Sequence, residues 1–300
     1  MIFDLDHKQL GADLKTMISR HYDNPLLMNL KGEIHFDMPL SKAEVDVVGN
    51  MWSIFNNNSL PKSVYIPCGG TMRHVPYLLQ NGITNAVVAD LSGMSLQMGR
   101  KRYGYLFKNN VSIYQADIRD THVFMGHCQG GFPLAILMGN SLGDVTDEQG
   151  HMEFIGALSD ALRPGGMLVF DYVSDGYNPL PGETLDTTWP EVLIKDNGTK
   201  QHVFDRRTRT YQPIDDDSGI LHLTCEVRGH DQEVIVPHHP YTKRIVKLNL
   251  LTQQFAEVGM TLRHMGSIEN HSAYHRRRNE TTNDLGMMGK PNQLFVAIKN

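Results

Sequence analysis

Residues 63–90 read SVYIPCGGTMRHVPYLLQNGITNAVVAD. Val64, Tyr65 and Ile66 make a short apolar strand that runs into Cys68-Gly69-Gly70-Thr71. An amphipathic helix is predicted through Leu78 and Leu79, with Asn81-Gly82 as its stop. Ala86 to Ala89 make a second apolar strand, and Asp90 closes it. Strand, glycine turn, helix, strand and acid in this order form the mononucleotide-binding half of a doubly wound sheet. Glycine suits the turn because a Cβ there would hold a ligand away from the backbone. A carboxylate at the tip of the second strand can accept hydrogen bonds from both hydroxyls of a ribose.

Outward from this unit the alternation continues. LSGMSLQMGRKRYGYLF predicts a helix with Leu91, Met94, Met98 and Tyr105 on its apolar side. A third strand ends in Ala116-Asp117-Ile118, and a fourth, Leu134–Met138, breaks at Gly139-Asn140-Ser141. An acid-started helix with Phe154, Leu158 and Leu162 inward stops at Pro-Gly-Gly. MLVFDYV follows as a continuous apolar run, as a strand covered on both faces requires. This order predicts an α/β fold with a doubly wound, mostly parallel Rossmann-like sheet.

Past Tyr172 the pattern changes. Residues 174–188 read as a loop, and the segments after it alternate polar and apolar residues, with Asn197-Gly198 as a hairpin turn. Helical periodicity returns at Leu248–Val258, stopped by Gly259, and QLFVAIKN closes as a strand that rejoins the sheet. Ahead of residue 61, helices are predicted around Leu10–His21 and Ser41–Phe55, the second opened by a Ser41/Glu44 capping box. The expected organisation is an N-terminal helical segment over 1–60 and an α/β domain from 61–173 and 245–300. A small antiparallel β insert occupies 174–244. The first segment either lies over the mouth of the sheet and closes the site or packs as an arm without ligand contact.

Composition bounds the function. The chain has 300 residues, 40% hydrophobic and 20% charged, enough for a substantial core. A net charge of −5 offers no whole-chain attraction to nucleic-acid phosphates. The first residues carry acids and no basic region ahead of an apolar run, so no signal peptide is expected, and no run of about 18 apolar residues predicts a membrane span. Cys68, Cys128 and Cys225 form no CxxC motif, which fits a cytoplasmic location. The 15 histidines are scattered without HExxH spacing, so no metal is expected.

Gly69, Asp90, Asp117 and Asn140 each follow an apolar run and should line the carboxyl edge of the sheet. The turn does not fit G-x-G-x-x-G: counted from Gly69, the later glycine positions hold Thr71 and His74. A cofactor without a pyrophosphate asks less of it.

PCGGTMRH followed by ADLSGMSLQMGRKR resembles the Pro-Cys-Gly-x-Gly-Arg-His and Asp-Leu-Ser stretches of class I S-adenosylmethionine-dependent methyltransferases. The likeness continues through ADIRD, GNSLGDVTDEQ, LRPGGMLVFDYV and VFDRRTRTY, over roughly residues 62–260. It implies S-adenosyl-L-methionine as cofactor, held at Cys68, Gly69, Gly70 and Thr71 near the amino-acid tail and at Asp90 and Leu91 by the ribose. It also implies Asp117 and Ile118 at the adenine, Asn140 and Ser141 beside the methionine moiety, and a small-molecule acceptor under the β insert. The chain departs from the pattern at Thr71-Met72, where a second glycine is usual, and at Asp144, where similar sequences carry an aromatic residue.

If the acceptor needs a base, Asp144, Tyr172, Tyr177, His238 and His239 are the candidates. His238 and His239 are adjacent on a predicted strand, so at most one faces the site. His74 is expected to stabilise the turn. Two other readings stay open: a cofactor-binding scaffold without turnover, and a nicotinamide-dependent oxidoreductase sharing the strand-turn-helix-strand-acid logic.

Overall fold

The computed structural model describes residues 2–4, 22–23, 38–174, 184–194, 199–268 and 293–300. The expected Leu10–His21 helix, Tyr177 and the Asn197-Gly198 turn lie outside them.

Eight strands form the main sheet in the order β1-β4-β3-β2-β5-β6-β12-β11. They are β1 (Ile2–Asp4), β2 (Ser63–Pro67), β3 (Asn85–Asp90), β4 (Val111–Gln115), β5 (Phe132–Leu137), β6 (Leu162–Tyr172), β11 (Met260–Ser267) and β12 (Gln293–Lys299). Pairings from β1 to β6 are parallel, and β12 runs antiparallel to both its neighbours. The order reverses between β2 and β5, which opens the ligand crevice of doubly wound sheets outside the carboxyl ends of these strands. Two strands were not anticipated. β1 adds to the edge beside β4, and β11 follows Gly259, whose φ of +74° ends the preceding helix.

Helices cover both faces, which explains the unbroken apolar runs. Val64, Ile66, Val88, Ile136 and Val169 point to the layer with α1 (Met38–Asn56), α2 (Val75–Gln80) and α3 (Gly93–Phe107). Tyr65, Val87, Ala135, Leu137 and Phe170 point to the layer with α4 (Glu148–Ala161) and α5 (Leu248–Glu257). There Phe170 stacks between Phe255 and Phe295, with ring centroids 5.3 and 5.2 Å away.

Two helix details differ from expectation. α1 begins at Met38, so Ser41 and Glu44 lie inside it and form no capping box. On α3 the buried face is Ser95, Leu96, Gly99, Tyr103 and Phe107, while Tyr105 is 78% exposed. The methionines suggested a face rotated by about one residue; small Ser95 and Gly99 are what the close approach of α3 selects.

A second, four-stranded antiparallel sheet is ordered β10-β9-β8-β7, from β7 (Thr184–Ile194), β8 (Lys200–Pro213), β9 (Ser218–Gly229) and β10 (Val234–Val246). Its buried face combines Val203, Leu221, Leu223 and Val227 with an Asp205–Arg207 ion pair at 2.5 Å. The end of β10 is stapled to the carboxyl edge of the main sheet. Tyr172 Oη donates to the Arg244 carbonyl at 2.8 Å, Ser174 Oγ to that of Val246 at 3.0 Å, and Arg244 Nη1 to that of Thr146 at 3.1 Å. Among the described residues no helix is long and apolar enough to cross a membrane.

His151, on the inner face of α4, is fully buried, and neither ring nitrogen has a partner among the described residues. Burial pushes its pKa from 6.5 down to about 3, with Arg244 acting the same way and Asp147 opposing. The folded chain keeps the ring neutral while the unfolded chain takes up a proton. Its contribution is therefore intact above about pH 6.5 and is lost as pH falls toward 3, a loss of about 2 kcal/mol at about pH 5. His151→Leu should shrink the difference between the urea-unfolding free energies at about pH 8 and about pH 5 by that amount. The same difference in both proteins would show that His151 does not titrate this way.

Candidate active site

The turn after β2 is tightly wound. Cys68, Gly70 and Met72 all have positive φ, at 50°, 49° and 57°. Gly69 N donates to the Ala89 carbonyl at 3.0 Å, and Met72 N to that of Gly69 at 2.8 Å. A Cβ on Gly69 would collide with Val88 Cγ1, whereas among the described residues one on Gly70 would meet only Asp90 Oδ2, at 3.9 Å. Gly69 is therefore required by packing, and Gly70 is uncrowded by the described residues. Met72, one of the two residues that depart from the glycine pattern, turns fully inward and packs in the core with Val75 and Leu96. Thr71 is buried as well, and its Oγ1 has no partner among the described residues.

The other wall of the turn is α3. A Cβ on Gly99 would fall inside the van der Waals envelope of the Thr71 carbonyl. Helix and turn touch here through backbone, which neither side can yield cheaply. Gly99→Ala should cost about 1–3 kcal/mol in urea unfolding, as overpacking does. An unchanged midpoint would mean that the turn moves freely.

Asp90 joins β2 to α3. Its Oδ2 accepts from Gly70 N and its Oδ1 from Ser92 N, each at 2.7 Å. Burial pushes its pKa up to about 6 against these two bonds, and Asp144 and Asp23 push it further in the same direction. Each carboxylate oxygen still has a lone pair to offer. Ser92 caps α3 by accepting from Ser95 N, and its hydroxyl lies 2.7 Å from Asp23 Oδ1. Tyr22 reaches across to Asp144, so these two residues of the N-terminal segment sit against the carboxyl edge.

The remaining expected positions are distributed unevenly. Leu91 is half-buried beside Asp90, and its carbonyl accepts from Gln115 Nε2 at 3.4 Å. Asp117 follows β4 as expected, but Arg119 engages both its oxygens through Nε and its Oδ1 also through the backbone N–H, at 2.9–3.1 Å. It is an ion-paired carboxylate rather than an open acceptor. Ile118 is buried in the core beneath. Asn140, after β5, has φ +56°; its N–H donates to Asp171 Oδ1 at 3.0 Å and its Oδ1 accepts from Val173 N at 3.1 Å. Its buried Nδ2 has no partner among the described residues. Ser141 Oγ turns back to the Met138 carbonyl at 3.2 Å.

Of the candidate bases, Tyr172 is corrected. It is fully buried, its hydroxyl is committed to Arg244, and burial holds its proton well above the usual tyrosine range. Asp144 lies in the 3-10 turn Ser141–Asp144 and is paired with buried Lys243 at 2.6 Å. His238 is exposed on β10, and the backbone of His239 pairs with Cys225 while its side chain lies outside the described groups. Cys68 is half-buried with its thiol pushed up by burial, so it stays protonated. His74 stabilises the turn as expected: Nε2 lies 2.6 Å from Glu44 Oε2, and Arg73 pairs with the same carboxylate.

Glu44, Lys243, Tyr22 and Asp23 were missed from the sequence. Glu44 was legible only as a helix-start residue, and nothing in the spacing of Lys243 points to a partner 99 residues away.

The sequence matches no protein-family model and no curated protein. The fold is that of class I S-adenosylmethionine-dependent methyltransferases. The CcbJ methyltransferase of Streptomyces caelestis aligns with a TM-score of 0.61 at 13% identity, over 87% of this chain and 94% of that one. CalS10 of Micromonospora echinaspora, an amino pentose methyltransferase solved with S-adenosylmethionine, gives 0.57 at 12% identity over 98% and 100%. The sugar N-methyltransferase KedS8 of a Streptoalloteichus species gives 0.54 at 16% over 86% and 87%. At these identities the likeness is one of fold.

Proposed function

We propose that the protein is an S-adenosylmethionine-dependent methyltransferase acting on a small-molecule acceptor. The observation that carries this is Asp90: a half-buried carboxylate at the tip of β3, bonded to the glycine turn and to the start of α3, with lone pairs left to accept. Three features support a fit to the cofactor. The described residues leave space in front of Gly70, Asn140 Nδ2 is a buried donor at the neighbouring strand end, and the turn lacks the glycines a pyrophosphate would demand. In this reading Gly69 and Gly70 face the amino-acid tail, Asp90 takes the ribose hydroxyls, and Asn140 stands beside the methionine end. The adenine lies against the backbone at Asp117 and Ile118. That CalS10 is an amino pentose methyltransferase and KedS8 a sugar N-methyltransferase supports a small-molecule acceptor.

When bound, the cofactor supplies a methyl group already activated by its positive sulfur. The chain's work is then alignment and exclusion of water. The antiparallel sheet is proposed to cover the acceptor, since β10 is stapled to the carboxyl edge. Tyr172 is committed to Arg244, so a base is called for only if the acceptor keeps its proton.

Titration calorimetry of the full chain with S-adenosylmethionine should show saturable binding, with product S-adenosylhomocysteine competing. Binding of NADH in its place, followed by fluorescence, would overturn the reading in favour of an oxidoreductase.

A further inference from the structure

The turn after β5 is gripped by side chains remote in sequence. Lys243, buried on β10, donates from Nζ to Asp144 Oδ1 at 2.6 Å and to the Asn140 carbonyl at 3.1 Å. The other oxygen of Asp144 accepts from Tyr22 Oη at 2.9 Å. Between them Gly143 leaves little clearance, since a Cβ there would stand 3.0 Å from the Arg244 carbonyl.

Burying a lysine sacrifices hydration and rotamer entropy, and a buried ion pair gains little stability over apolar packing. Fastening the two sheets does not require it, because Tyr172 and Ser174 already bond to β10. Asp144 is also felt electrostatically at Asp90 and at Cys68.

We propose that Lys243 is a positioning residue for the methyl donor. By holding both the Asn140 carbonyl and Asp144, it fixes the turn that presents a donor and a negative charge to the cationic methionine end of S-adenosylmethionine. The inference rests on the methyltransferase reading above. Loss of Lys243 would let this turn relax, which penalises a ligand that carries the methionine end and spares adenosine, which lacks it.

The test is calorimetry on the full chain with S-adenosylmethionine, S-adenosylhomocysteine and adenosine, for the parent, Lys243→Met and Asp144→Asn. Lys243→Met should weaken S-adenosylmethionine by about tenfold or more and adenosine by less than about threefold, because misplacement acts only at the displaced end. Asp144→Asn leaves the lysine charge uncompensated, so S-adenosylmethionine should lose about fivefold more than S-adenosylhomocysteine, which lacks the sulfonium charge. Equal losses for S-adenosylmethionine and adenosine, or no loss at all, would overturn the proposal. Should Lys243→Met fail to fold, Asp144→Asn decides alone: an unchanged preference between the two cofactor forms overturns it. A parent chain that binds neither form would instead remove the methyltransferase reading on which the proposal stands.

Discussion

Replacing Asp90 with alanine is expected to weaken S-adenosylmethionine binding by at least about 100-fold. Two ribose hydroxyls donating to a carboxylate make charge-assisted bonds of about 1.5–3 kcal/mol each, and about 1.4 kcal/mol is a tenfold change in affinity. Circular dichroism should show the fold retained, since the sheet and both core layers are built from other residues. The pH dependence gives an independent check. With its pKa pushed up to about 6 by burial, Asp90 is a carboxylate above that pH and a neutral acid below it. Only the carboxylate can accept from both hydroxyls, so affinity should be level above about pH 7 and fall about tenfold per unit below about pH 6. Asp90→Asn, which keeps the shape and cannot titrate, should bind weakly and without this slope. Undiminished affinity in Asp90→Ala would remove the ribose assignment.

Glu44→Gln is expected to cost about 3–5 kcal/mol of stability, the penalty for breaking a buried ion pair. Glu44 is 4% exposed and bonds both His74 and Arg73, while Arg73 Nη1 also reaches Ser41 Oγ at 3.3 Å. Burial alone would raise its pKa, yet Arg73 and His74 override it and bring it down to about 2. The sign follows: the contribution is present above about pH 4.5 and is lost as pH falls toward 2. Thermal unfolding curves of parent and variant should therefore lie far apart at neutral pH and converge in acid. His74, held neutral chiefly by burial, donates Nε2–H to this carboxylate. A parent-like midpoint for Glu44→Gln at neutral pH would show that α1 does not clamp the turn.

Local patterns carried far into this molecule. The run from Ser63 to Asp90 placed β2, α2 and β3 correctly, because each is a short element whose apolar period and stop residues lie within it. The continuous apolar run of MLVFDYV indicated two covered faces, and the structure puts Val169 in one layer and Phe170 in the other. Errors came where packing chose among local options. Ser41 and Glu44 have capping-box spacing, but Glu44 gains more from a guanidinium and an imidazole on the following loop than from a backbone N–H. Tyr172 looked like a strand-end base and is instead a staple, because the antiparallel sheet arrives over it.

By itself, then, the sequence determined the order of elements from β2 to β6, the doubly wound architecture and the position of Asp90 at the carboxyl edge. These depend on period and on turn residues within a few positions of one another. Only the tertiary structure decided that Asp117 is engaged by Arg119, that Met72 fills the core behind the glycine turn, that Glu44 grips His74 after that turn, and that Lys243 and Tyr22 meet at Asp144. Those outcomes depend on which charged groups meet after burial. A buried charge must find a partner wherever the fold brings one, and sequence distance does not encode that meeting.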